Sequence, residues 1–278
     1  MIGTIIGDIA GSTREFKNFK TDDLSFELFP DGSKFTDDTI LTAAIADSVI
    51  TGDSYKNVLA DYANTYPHGG YGGRFVDWVR LQPSQRRPYN SFGNGSAMRV
   101  SAIAYAYDSL EEVLDNAEKS ADVTHNHPEG IKGAQATAAC IFLARTGKTK
   151  EEIEDYIVDR FKYKISTVNK IRPLYQFDTT CQGTVPQAIA CFSDSTTFEE
   201  AIKMAVSLGG DADTIGAITG SIAEAFYGVP EELANIAYDL VDYHIRMVYT
   251  TFMDQKAPNL LVGKWAENKE QNLHTGDK

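Results

Sequence analysis

Cysteine, positive charge and long apolar runs are all scarce in this sequence. Its three cysteines, Cys140, Cys181 and Cys191, are odd in number and follow no repeated spacing, which excludes a disulfide framework. Their small or apolar neighbours point to buried free thiols. Lysine and arginine total 26 against 39 acids, a formal net charge of −13. That balance argues against non-specific binding to nucleic acid or to an anionic membrane surface. No stretch approaches the ~20 apolar residues of a membrane span. The N-terminal MIGTIIGDIAGS lacks a basic region and is interrupted by Asp8, so it does not read as a signal peptide. A reducing cytoplasm is the expected setting.

What remains is an ordinary globular composition, 42% hydrophobic and 23% charged over 278 residues, long enough to bury a substantial core. Helical patterns dominate. Residues 38–50, 54–66, 129–145, 149–162, 198–207, 214–227 and 231–251 all read as helices. In 149–162, Ile153, Ile157 and Phe161 recur every four residues among charges, the pattern of an amphipathic surface helix. Alternating strands are few, and KYKIST at 162–167 is the best of them. The expected fold class is all-α. No linker divides residues 1–255, which read as one domain. Residues 256–278 are polar and read as a frayed tail. Residues 67–95 mix Gly, Pro, Arg and aromatics in a long loop, a length that usually marks function. Tyr71, Trp78 and Tyr89 are its candidates for a substrate-sorting rim.

Two stretches echo each other: FTDDTILTAAIA at 35–46 and GGDADTIGAITGSIAEA at 209–225. Each sets two acids and a threonine before an apolar helix. One acid at each start needs no explanation beyond N-capping. Asp37 with Asp38, and Asp211 with Asp213, exceed that need. Their flanks (Phe35, Ile40, Leu41, Leu208, Ile215 and Ile218) predict burial, and no Lys or Arg adjoins either motif. Buried carboxylates repel one another and resist desolvation unless protonated, paired or bound to cations. A metal site is the natural answer. Oxygen donors without Cys or a paired His favour Mg²⁺, Mn²⁺ or Ca²⁺ over Zn²⁺, and five or six such donors suit two ions.

Other segments carry weaker signals. GDIAGS at 7–12, followed by Glu15, adds acid near the N-terminus; there Gly7 and Gly11 suit close helix packing and Asp8 suits a cap. SFGNGSAMR at 91–99 offers flexible backbone N–H groups and Asn94 before a helix start, a setting suited to a diphosphate. THNHPEG at 124–130 carries His125 and His127 in a turn. CQGTVPQAI at 181–189 breaks at Pro186 and then turns helical.

The order of these segments, closing with GVPEEL at 228–233, resembles the ADP-ribosylglycohydrolase family, which includes the dinitrogenase-reductase-activating glycohydrolases. The resemblance covers residues 1 to about 250 and rests most on FTDDT paired with a distant GGDADT. It implies a compact, orthogonal all-α domain with a binuclear Mg²⁺ or Mn²⁺ cleft. By motif, Thr36, Asp37, Asp38, Asp211, Asp213 and Thr214 would be metal ligands. Ser91, Phe92, Gly93, Asn94 and Gly95 would hold the ADP part, with His125 near the diphosphate or distal ribose. Glu15 would lie beside the reacting ribose, and Glu15, Asp38 and Asp213 would be the catalytic acids. MRVSAIAYAY departs from the family's habit of a proline soon after its GNG…MR motif, and the stretch after Tyr249 matches no family motif.

The resemblance implies hydrolysis of the bond between ADP-ribose and an acceptor, an ADP-ribosylated protein or a small-molecule conjugate. Arginine-linked ADP-ribose comes first; serine-linked ADP-ribose, O-acetyl-ADP-ribose and modified nucleic acid ends are the other acceptors. Two further readings compete: an inactive ADP-ribose-binding or structural member, and an unrelated all-α metal hydrolase. The intact acids disfavour the first, and their split placement disfavours the second. A monomer is the expected state.

Overall fold

The computed structural model describes residues 1–267. Helices make up most of the described residues. Its first half contains α1 (Ile2–Ser12), α2 (Asp37–Thr51), α3 (Tyr55–Thr65), α4 (Gly73–Arg80), α5 (Gly95–Met98), α6 (Ser101–Ala106) and α7 (Leu110–Asp122). The second half contains α8 (Pro128–Arg145), α9 (Lys150–Phe161), α10 (Val168–Ile171), α11 (Cys181–Asp194), α12 (Phe198–Ser207), α13 (Ala212–Tyr227), α14 (Glu231–Leu240) and α15 (Tyr243–Lys256). Among the described residues the only extended pairing is an isolated bridge between Gly93 and Thr180. The all-α expectation holds.

Local chemistry accounts for many of the boundaries. Thr149 and Glu152 form a reciprocal capping box at the start of α9, whose Ile153, Ile157 and Phe161 face the core. Pro128 opens α8, where the His127 side chain accepts the N–H of Glu129. The helix read across 231–251 is two helices. It breaks at Val241, and Asp242 restarts it by accepting the N–H of Ile245.

Three other expectations are corrected. KYKIST is no strand: Lys162 ends α9 in the left-handed conformation, and the residues after it are irregular. The 67–95 segment is not all loop, because Gly73–Arg80 forms α4, and Phe75 stacks on Trp78 beneath it. The frayed tail does not begin at 256. Trp265 is fully buried, and its Nε1 donates to the Ala234 carbonyl oxygen at 2.8 Å. The remainder of the predicted tail, 268–278, lies outside the described residues.

Two central helices position the site. Every residue of α13 from Ala212 to Glu224 is buried, and so is α1 from Ile2 to Gly11. They run antiparallel, with Gly3 against Gly220, Gly7 against Gly216 and Gly11 against Ala212. At the far end Glu224 accepts the N–H groups of Ile2 and Gly3 and pairs with the Met1 amino group. The three cysteines are free and buried. No helix among the described residues is long and apolar enough to cross a membrane.

Candidate active site

At the acid-bearing ends of α1, α2 and α13 lies a cleft of about 440 Å³, within the range of small-ligand sites. Asp8 projects from α1 and Glu15 from the turn after it. Thr36, Asp37 and Asp38 come from the start of α2, and Asp211, Asp213 and Thr214 from the start of α13. All but Asp8 line the cleft. Thus every metal-ligand candidate read from the sequence reaches one place.

The carboxylates form two interlocking groups. Oxygens of Asp8, Asp38 and Asp213 lie within 4.8 Å of one another, as do those of Glu15, Asp211 and Asp213. Asp213 belongs to both. Asp37 joins neither, yet it stands in the same wall. The Thr36 and Thr214 hydroxyls each lie 3.4 Å from Asp38 Oδ2. Neither Thr36 nor Asp211, the residues just before α2 and α13, caps its own helix through its side chain. Capping alone does not explain these residues.

Asp8 takes on the capping of α2 from another helix. Its Oδ2 accepts the N–H groups of Thr36 at 2.8 Å and Thr39 at 3.1 Å, and its Oδ1 accepts the Thr36 hydroxyl at 2.6 Å. The sequence reading saw a cap here but not a member of the acid cluster. The signal was available: Asp8 is the one charged residue in a helix otherwise of Ile, Ala, Gly, Ser and Thr.

The electrostatics are unfavourable for bare carboxylates. Burial, reinforced by neighbouring acids, pushes Asp37, Asp38 and Asp213 well above the usual carboxylate range. Burial also raises Asp8 and Asp211, against the hydrogen bonds they receive. Glu15 rises to about 7, first through burial and then through the charge of Asp211. Among the described residues no Lys or Arg pairs with any of these acids. Asp38 Oδ1 is buried without a hydrogen-bond partner. Oxygen donors in surplus, unpaired and desolvated together, fit a hard divalent cation.

The second wall comes from the glycine-rich loop and His125. Ser91, Gly93, Asn94, Gly95 and His125 line the cleft, joined by Tyr89 and Arg74. Phe92 does not; it is 43% exposed, and its ring lies 5.3 Å from that of His127. Asn94 also reaches the acid cluster. Its side-chain amide donates to Asp211 Oδ2 at 2.6 Å and to Thr184 Oγ1 at 3.0 Å, so it orients an acid of the cluster. Two loop N–H groups serve the fold, Gly93 donating to Ser91 Oγ and Asn94 to the Thr179 carbonyl. The helix after the loop is only four residues long.

His125 is buried, not in a surface turn, and burial with the nearby Arg99 charge holds it neutral, well below its usual range. Arg99 donates to Thr124 Oγ1 at 2.8 Å, and that oxygen lies 2.7 Å from His125 Nδ1. Of the proposed rim, Tyr89 lines the cleft under the Arg74 guanidinium, whereas Trp78 is buried in the core. The sequence reading missed Arg74, Phe16 and Phe177, all cleft-lining, because no motif marks them.

The glycines of GGDADT are explained by the backbone. Gly209 and Gly210 have φ of +71° and +70°, a region that disfavours other residues. A Cβ on Gly210 would also lie 2.5 Å from the Tyr175 ring. Their close approach is to Tyr175 and to the 18–20 segment rather than to the cleft.

The chain is similar to several known proteins. ADP-ribosylhydrolase ARH3 of Bos taurus is 27% identical, with 83% of this chain and 84% of that protein aligned. ADP-ribosylarginine hydrolase Tri1 of Pseudomonas putida is 28% identical, over 94% of this chain and 78% of the relative. A solved ADP-ribosylglycohydrolase-related protein complex superposes with a TM-score of 0.70 at 24% identity, covering 90% of this chain and 93% of that one, a likeness of fold. The model of the ADP-ribosylglycohydrolase family matches residues 1–255, the stretch that builds both walls of the cleft, and the chain therefore belongs to that family of enzymes.

Proposed function

We propose that this enzyme removes ADP-ribose from arginine side chains of modified proteins, with two Mg²⁺ or Mn²⁺ ions held by the acid cluster. ADP-ribosyl hydrolysis follows from the family. The linkage and the ions are the proposal. The observation that carries it is Asp213 shared between two carboxylate triads in one cleft. The name of the Tri1 relative supports the arginine linkage.

Thr36, Asp37, Asp38, Asp211, Asp213 and Thr214 would hold the ions, with Asp8 bracing Thr36. Bound there, such cations supply positive charge for the hydroxyl oxygens of a ribose and for a nearby water. The remaining work falls to side chains. His125 and Arg74 bind the anionic part of the substrate. The Thr124 hydroxyl accepts from Arg99 and donates to Nδ1, which leaves the Nε2–H of His125 as a donor. Glu15 is half-buried and holds a proton near neutral pH, as a general acid requires. Water attacks the anomeric carbon as the carbon–nitrogen bond breaks. The electron pair stays on the guanidine nitrogen, which takes the Glu15 proton, and Asp38 or Asp213 accepts the proton from water.

The test is release of free ADP-ribose from an arginine-linked peptide with Mg²⁺ and with EDTA, beside a serine-linked peptide. Mg²⁺-dependent release from the arginine-linked peptide supports the reading. Preference for the serine-linked peptide replaces the linkage, and full release in EDTA removes the ions.

A further inference from the structure

Phe16 and Phe177 are large apolar residues that the fold leaves in water. Phe16 is 81% exposed and Phe177 49% exposed, and their rings lie 5.6 Å apart at 31°. They come from separate segments, one following α1 and one preceding α11. A single exposed phenylalanine needs no explanation, but two brought together at the mouth of a polar cleft do. Both line the main cleft beside Glu15. Both also line a second groove of about 430 Å³, with Glu15, Asn18, Lys20, Gln176 and Gly210. The pair thus forms the ridge between the two cavities.

We infer that this ridge recognises the acceptor: the guanidinium lies against the Phe16 and Phe177 rings, and the flanking peptide enters the second groove. The inference rests on the arginine-linked reading above. With the diphosphate held by His125 and Arg74 and the ribose at the acids, the scissile nitrogen lies at Glu15. The next residue in sequence is Phe16. A planar cation is what an aromatic face binds well, and a small hydroxyl acceptor gains little from it.

Wild-type turnover of the arginine-linked peptide decides the underlying reading; if there is none, the inference falls with it. Given turnover, the F16L/F177L double variant decides the inference. Leucine keeps apolar bulk but has no aromatic face, and the exposure of both rings spares the core. The expected result is a rise of roughly tenfold in KM for the arginine-linked peptide, with little change in kcat and an unaltered Kd for free ADP-ribose. The F16Y/F177Y variant, which keeps both rings, restores the wild-type KM. Unchanged KM in F16L/F177L, or an equal loss of ADP-ribose affinity, overturns it.

Discussion

Gly7 of α1 and Gly216 of α13 meet backbone to backbone: a methyl group on Gly7 would lie 1.9 Å from the Gly216 carbonyl oxygen. This contact sets the spacing of the two helices, and the spacing brings Asp8 and Asp213 into one cluster. An alanine here cannot be absorbed by a flexible side chain, because the obstacle is main chain.

Gly7→Ala should therefore destabilise despite its better helix propensity. Propensity favours alanine by about 1 kcal/mol, while overpacking a rigid contact costs about 1–3 kcal/mol or more. Thermal unfolding would show a lower Tm for Gly7→Ala. Gly72→Ala, where an added Cβ meets nothing within 4 Å, should stay within about 0.5 kcal/mol of wild type. Equal Tm values for all three proteins would show that the helices separate without cost.

Trp265 gives a second stability prediction. The residue is fully buried, with its indole N–H satisfied by Ala234 and its ring edge-on to Tyr238 at 5.2 Å. Trp265→Ala should cost about 3–5 kcal/mol, measured by urea unfolding. A cost below ~0.5 kcal/mol would restore the picture of a dispensable tail.

These two residues also show what the sequence made legible. Gly7 and Gly11 could be read as packing residues because their four-residue spacing is itself the geometry. Thr36, Asp37, Asp38, Asp211, Asp213 and Thr214 could be read because acids before apolar helices have few structural uses. Trp265 could not, since its polar neighbours hide a docking contact with a distant helix. The partners of Asn94 were equally hidden, for a side-chain amide points wherever the fold offers an acceptor. Phe16 and Phe177 meet only in three dimensions.

Glu15 makes stability depend on pH in a defined direction. In the unfolded chain it loses its proton near 4.5, and in the folded protein near 7. Between these values the native state binds more protons, so stability falls as pH rises. Below about 4.5 both states are protonated; above about 7 both are ionised and the penalty is complete. His125, held neutral by burial, acts in the opposite sense as pH falls, so a comparison of variants isolates the glutamate. In EDTA, the stability of Glu15→Gln relative to wild type should grow from pH 4.5 to 7 and then level off. A difference that is flat across this range would place the glutamate's folded titration back in its ordinary range.

Asp213 separates stability from function most sharply. It is buried against Asp211, Asp38 and Glu15, and among the described residues no Lys or Arg pairs with it, which leaves a proton or a cation to neutralise it. Asp213→Asn keeps the shape and removes one charge. In EDTA near pH 8 the variant should therefore unfold at a higher temperature than wild type, because repulsion is relieved. Adding Mg²⁺ should reverse the order. A cation that binds only the folded wild type adds about 2.7 kcal/mol at a hundred times its Kd, and the variant, lacking the shared oxygen, should gain much less. Activity should fall beyond the ~10–100-fold that outer-sphere substitutions cost a metal site. Two Tm values for each protein, with and without Mg²⁺, are enough. If the order does not reverse, Asp213 is not a cation ligand, and its place in both carboxylate groups must serve the substrate directly.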